Sequence, residues 1–158
     1  MTTQAFNLYT ANGYAGDLVD SGPRVIQTGI LTSATAGFGK AMKRDTSIER
    51  GVALGGAASV YAISQREYNH EASTRPSPGN DTVYKVTESV SLIRQGYLYI
   101  ERDGAVAVSA GALLHVDAAT GLFVKTAVGG TVVATANVVA DEAAIAGEVF
   151  KVRIDVVA

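Results

Sequence analysis

Cysteine and tryptophan are absent from this chain of 158 residues, and proline occurs only three times. Without cysteine there is no disulfide framework, no thiolate nucleophile, no iron–sulfur cluster and no cysteine-based zinc site. Charge is also sparse, at 18%, and neither sign dominates: 13 Lys and Arg stand against 15 Asp and Glu, for a net charge of −2. Residues 1–80 carry seven basic and six acidic groups, and residues 81–158 carry six and nine. No basic stripe exists to neutralise a run of phosphates, which argues against nucleic acid as a partner. Apolar runs fall far short of the ~18 residues that a membrane-spanning helix needs. The opening MTTQAFNLYTANGYAGDL has no basic stretch followed by an apolar one, so no signal peptide is expected.

What is present is small and apolar. Hydrophobic residues make up 47% of the chain, much of it Ala and Val, with 17 Gly, seven Tyr and four Phe. Mean hydropathy is +0.19. A chain this apolar and this weakly charged has the means to build a core and does not resemble a disordered one.

Short β-like runs recur with glycine-containing turns between them. Strands are expected at 24–31, 36–43, 58–64, 83–95, 96–104, 105–111, 112–117, 122–128, 131–139 and 148–157, with a short one around Val52–Leu54. The cleanest alternation is in the last: Val149, Lys151, Arg153 and Asp155 oppose Phe150, Val152, Ile154 and Val156. In GYLYIERDG, Tyr97, Tyr99 and Glu101 alternate with Leu98, Ile100 and Arg102. Only ADEAAIAG at 140–147 has helical propensity. The pattern predicts an all-β fold: one jelly-roll, sandwich-like or barrel-like domain over 24–158. Residues 1–23 read as an extended arm, with turn signals at Asn12-Gly13 and Ser21-Gly22-Pro23. Its Phe6, Leu8, Tyr9, Tyr14 and Leu18 are too apolar for a solvated tail. They cover either the chain's own domain or a neighbouring subunit. Residues 65–82 are the most polar stretch, and Pro76, Pro78 and Gly79 there indicate a long loop.

A search for chemistry finds little. Glu67, His70 and Glu71 have the residue types of a metal site but equally those of a solvated loop. His115 alternates with apolar neighbours two residues before Asp117, as a half-buried strand histidine paired with that carboxylate would. No G-x-S-x-G occurs. Gly37-Phe38-Gly39-Lys40 lacks the third glycine of a dinucleotide loop, and Ala34 and Ala41 break a P-loop pattern. Asp141-Glu142 suits a helix start. No catalytic residue, metal or cofactor is expected. The densest charged segment runs from Lys40 to Arg50, and its Lys43, Arg44 and Arg50 form either a solvated loop or a contact with a protein partner.

The order of segments carries a further signal. GYAGDLVDSGPRVIQTGIL is followed by AGFGKAMKRD and RGVAL. Then come GYLYIERDGAVAVSAGALLHVDAATGLFVKTA, a glycine turn, an Ala-rich segment and a closing GEVFKVRIDV. This order resembles the structural cement, or decoration, proteins of tailed-bacteriophage heads, over most of the chain except 65–82. The resemblance implies a non-enzymatic protein, made in the host cytoplasm and carried on the outer capsid surface of the virion. It implies a homo-oligomer, dimer or trimer, that bridges major capsid protein subunits and stabilises the expanded shell against the pressure of packaged DNA. Phe6, Leu8, Tyr9, Tyr14, Leu18, Lys43, Arg44 and Arg50 are the expected contact residues. Nucleic acid and membrane are not expected partners. A tail or head-fibre component, or a glycan-binding β-domain, is the alternative.

Overall fold

Strands in this chain close on themselves. A computed structural model of the protein describes residues 14–19, 22–67, 83–103, 107–124, 129–144 and 149–155. Among them there is no helix. The strands are β1 (Val25–Leu31), β2 (Ala36–Gly37), β3 (Ala41–Arg44), β4 (Gly51–Leu54), β5 (Ala62–Ser64), β6 (Val83–Tyr84), β7 (Ser89–Asp103), β8 (Leu113–Asp117), β9 (Phe123–Val124), β10 (Val132–Ala140) and β11 (Val149–Ile154). β2 and β6 form a separate pair. The other nine are hydrogen-bonded in the order β1-β4-β3-β5-β7-β11-β10-β8-β9, with the further pairings β1–β7 and β7–β9.

Those two further pairings close two rings. One runs β7–β1–β4–β3–β5 and returns to β7; the other runs β7–β11–β10–β8–β9 and returns to β7. Each has one parallel contact, β1–β4 in the first and β7–β9 in the second. The all-β expectation therefore holds, in its barrel-like form, as two small rings sharing one strand.

β7 makes this possible by its length of 15 residues. As far as Gln95 it pairs with β1, and from Gly96 it pairs with β11. The strand boundary expected at Gly96 does not exist; the chain changes partners there without ending. Gly96 has φ +131°, and a Cβ would meet Cβ of Arg24 at 3.1 Å, so the hand-over requires glycine.

Two cores follow from the two rings. Leu31, Met42, Val52, Ala62, Tyr84, Val90 and Leu92 are fully buried in the first. Leu98, Ile100, Leu114, Val116, Phe123, Phe150, Val152 and Ile154 are buried in the second. Ala41, Ile63 and Ile93 also belong to the second core, although their strands build the first ring. They form one row across three strands, with Ala41 opposite Ile63 and Ile63 opposite Ile93. The β3–β5–β7 strip is thus buried on both faces.

Other expectations change for reasons of packing. The strand expected over 36–43 turns at Phe38 and Gly39 and splits in two. The strand expected over 58–64 begins only at Ala62, because Ala58 and Val60 bond to β10 instead. No helix forms in the described part of 140–147: Ala140 ends β10, and Ala144 exchanges backbone hydrogen bonds with Val108 at 2.8 and 3.0 Å. The tertiary bridge overrides an alanine-rich local preference.

A buried amide fastens the rings together. Asn137 is 4% exposed. Its Oδ1 accepts from the Val60 N–H at 3.0 Å, and its Nδ2 donates to the carbonyls of Val60 and Asp155, each at 2.9 Å. It sits in a stretch of β10 between Ala134 and Val139 where the ladder with β8 shifts register. Removing this amide strands buried backbone groups, each costing about 1–3 kcal/mol. Asn137→Ala should therefore lower the unfolding free energy in urea by at least that amount. Thr35→Ala, at an exposed position, should change it by no more than about 0.5 kcal/mol.

Candidate functional site

The basic segment expected from the sequence lies at the end of β3 and in the turn to β4. Ala41 and Met42 are buried, while Lys43 and Arg44 emerge into solvent. The turn after them is built by Asp45. Its carboxylate accepts hydrogen bonds from the Thr32 hydroxyl and, at 2.9 Å, from the Ser47 N–H. The Asp45 N–H donates to the Gly51 carbonyl at 3.0 Å. The hydrogen bonds from Thr32 and Ser47, with help from the charge of Lys43, hold the Asp45 carboxyl down to about 2 from its ordinary 3.8. Arg50 closes the turn at φ 59°, a conformation that favours glycine. Its side chain is exposed, as is Ile48 at 43%.

Behind Lys43 and Arg44 is a pocket of about 300 Å³, which Ser59, Tyr61 and Arg94 also line. No carboxylate lines it. Arg94 arrives there through a bulge in β7: Val25 pairs with Gln95 and Ile26 with Ile93, so Arg94 has no counterpart on β1. Bulges of this kind re-aim a side chain. The Arg94 guanidinium stacks 4.5 Å from the Tyr61 ring centroid, and that of Arg44 is 5.9 Å from the same ring. The Tyr61 hydroxyl donates to Gln27 Oε1 at 3.2 Å, which fixes the ring. Arg94 Nε is buried with no hydrogen-bond partner among the described residues.

Other cations are engaged within the fold. Lys151 Nζ lies 2.5 Å from Asp141, whose neighbour Glu142 accepts the Lys151 N–H at 2.7 Å. Arg153 Nε donates to Asp155 at 3.0 Å, and Arg66 faces Asp17 at 3.8 Å. Asp141 and Glu142 thus bind β11 rather than starting a helix. Among the described residues, no ion pair involves Lys43, Arg44 or Arg94.

The arm residues divide. Phe6, Leu8 and Tyr9 lie outside the described residues. Leu18 is half-buried against the second core and bridges Leu98 of β7. Around it, the Gly16 N–H donates to Tyr99 at 2.7 Å and the Val19 N–H to Tyr97 at 3.1 Å. Residues 14–19 are therefore stitched to the chain's own β7. Tyr14 is 66% exposed and carries the Arg66 guanidinium 4.2 Å from its ring centroid. A second exposed feature is β1, which meets β4 only at Ile30 and Leu31 and leaves Val25 and Ile26 solvent-exposed at 42% and 45%.

Of the polar loop 65–82, residues 68–82 lie outside the described residues, His70 and Glu71 among them. Among the described residues no group of three or more His, Asp or Glu is placed to hold a metal. The carboxylate of Asp117, offered by the sequence as a partner for His115, accepts from Ala119 and Thr120 N–H groups at 2.8 and 2.9 Å and from the Thr131 hydroxyl at 2.7 Å. These bonds hold its carboxyl below the usual range. The sequence singles out Lys43 and Arg44 as candidate contacts; Arg94 and Tyr61, which the fold places in the same pocket, it does not. The one local trace of the bulge is the apolar doublet Leu92-Ile93, both buried, just before Arg94.

Comparison with known proteins adds three findings. A family model described as structural cement protein (E217 gp24/Pam3 gp6) matches residues 1–155. A chain from the structure titled "The capsid of Myoviridae Phage XM1" superposes with a TM-score of 0.69 and 16% identity, covering 91% of each chain. No curated protein sequence matches.

The Asp45 turn gives a pH test. A carboxyl whose folded-state pKa lies below its ordinary value stabilises the fold fully above that ordinary value, and the contribution fades as pH falls through the lower one. Asp45→Asn, which mimics the protonated acid, should lower the melting temperature at pH 7. The gap to the unmodified protein should narrow between pH 3.8 and about 2. A gap that stays constant down to about 2 would assign the loss to packing.

Proposed function

This chain belongs to the phage structural cement protein family, and from that premise we propose that it binds the outer surface of a bacteriophage head as a dimer or trimer. There it bridges major capsid protein subunits and stabilises the expanded shell against internal DNA pressure. Membership of the family implies association with the capsid, a place in the virion and a structural rather than enzymatic role. The observation that carries the reading is the match over residues 1–155, nearly the whole chain.

Physical features of the fold support it. Two closed rings on a common strand make a stiff body with few open edges, so partners meet it through side chains and short exposed stretches. The exposed edge of β1 at Val25 and Ile26 is suited to strand addition. Lys43, Arg44 and Arg50 are exposed at the end of β3 and in the turn to β4. Tyr14 marks the point from which Phe6, Leu8 and Tyr9 would extend to a neighbour. Leu18 serves by holding that point to β7. Individually weak contacts of this kind gain avidity when many copies cover one lattice.

Co-sedimentation with expanded shells that lack the protein tests the reading. Saturable binding at a fixed ratio per capsid subunit, with a raised shell melting temperature, is the expected result. Deleting residues 1–13 leaves the stitching of 14–19 in place, so it should weaken shell binding more than it lowers the protein's own melting temperature. Absence of binding to any form of the shell would move the protein to the tail or to a fibre.

A further inference from the structure

We propose that the pocket between β3, the segment before β5 and the β7 bulge is a carboxylate-binding site, filled by an Asp or Glu side chain of the protein on which this chain docks. Only the source of the carboxylate rests on the capsid reading.

The argument begins with what the pocket's cations lack. Lys151, Arg153 and Arg66 each have an acidic partner within the fold. Lys43, Arg44 and Arg94 converge on one cavity that no carboxylate lines. Lys43 acts on the Asp45 carboxylate, which lies outside the lining, but Arg44 and Arg94 have no ion pair among the described residues, and like charges gathered in this way repel one another unless an anion offsets them. Arg94 adds a second, independent sign. Its Nε is withdrawn from solvent and has no acceptor among the described residues. Stacking on Tyr61 satisfies the guanidinium's face but not its Nε–H. An incoming carboxylate would supply that acceptor, and guanidinium binds carboxylate through paired hydrogen bonds.

The size and surroundings select the kind of anion. About 300 Å³ holds one side chain and not an extended polyanion. Ser59 offers a hydroxyl and the Tyr61 ring an apolar wall, which suits a carboxylate on a short methylene stem. The chain's net charge of −2 provides no continuing basic track for a nucleic-acid backbone.

The site can be read directly from the Arg Nε–Hε signals of ¹⁵N-labelled full-length protein. The probes are the blocked peptide Gly-Glu-Glu-Gly, its Gly-Gln-Gln-Gly counterpart and inorganic phosphate. The Glu peptide should shift the Arg94 signal saturably, and added salt should weaken it. The Gln peptide should not shift it. Arg94→Gln should lower affinity by about tenfold or more. Arg94→Lys keeps charge and stem but loses the paired geometry, so it should show an intermediate loss and reports even if Arg94→Gln does not fold. Lys85→Gln, at an exposed position outside the pocket, should bind as the unmodified protein does. Equal response to the Gln peptide, tighter binding of phosphate than of the Glu peptide, or unaltered affinity in both Arg94 variants would overturn the site. The shell assay separates the source: if the unmodified protein binds shells and Arg94→Lys binds them equally well, the carboxylate is not the capsid's. If the unmodified protein does not bind shells while the peptide titration succeeds, the site stands and the capsid reading falls.

Discussion

Everything else in this structure depends on one strip of sheet being buried twice. Ala41, Ile63 and Ile93 line up across β3, β5 and β7 and face the second core. Met42, Ala62 and Leu92, their neighbours along the same strands, face the first. One ring's outer wall is therefore part of the other ring's filling. A small ring alone encloses few side chains, and a small core is marginal. Sharing a wall lets a chain with no disulfides and no tryptophan bury large aliphatic side chains at roughly 1.5–3 kcal/mol each.

The shared wall also constrains where polar groups go. Asn137 reaches out of β10 to the backbone of Val60, just before β5, and so polices the seam between the rings. Close by, where Val60 lines the same pocket, β7 takes up an extra residue at Arg94. The pocket is a by-product of joining two rings: curvature needs the bulge, and the bulge delivers a cation to a place already occupied by Lys43 and Arg44. Structure and binding chemistry are in this sense one solution. Lys151, Arg153 and Arg66 pair with acidic groups of the fold, and among the described residues Arg44 and Arg94 do not.

How much of this was legible in the sequence depends on burial. Strands with one wet face announced themselves: Phe150, Val152 and Ile154 are buried and Lys151 and Arg153 are not, as the alternation said. The second half of β7 behaves likewise, with Leu98 and Ile100 inside. The strand β5 was blurred because all three of its residues, Ala62, Ile63 and Ser64, are buried, which erases the period of two. Ring closure was invisible, since alternation states which face is buried and not which strand lies alongside. Lys43 and Arg44 stand out as a charged pair because they are adjacent in the chain. Arg94 and Tyr61 were missed because only the fold brings them there. Leu18 looked like a docking residue because an apolar side chain in a glycine-rich lead-in reads the same whether it covers its own core or another's.

β7 has a consequence for how the chain emerges from the ribosome. The partners of its first half, β1 and β5, and the β3 and β4 that complete the ring all precede it, so the first ring can close as soon as Gln95 has appeared. Its second half must wait, because β8, β9, β10 and β11 all follow. For that interval Leu98 and Ile100 stand on a finished ring with no cover beyond residues 14–19. Nascent apolar strands of this kind attract copies of themselves. Gly16 and Val19, whose N–H groups bond to Tyr99 and Tyr97, emerge before that strand does, so the partner able to cover one edge of it is already made while the second ring is still incomplete.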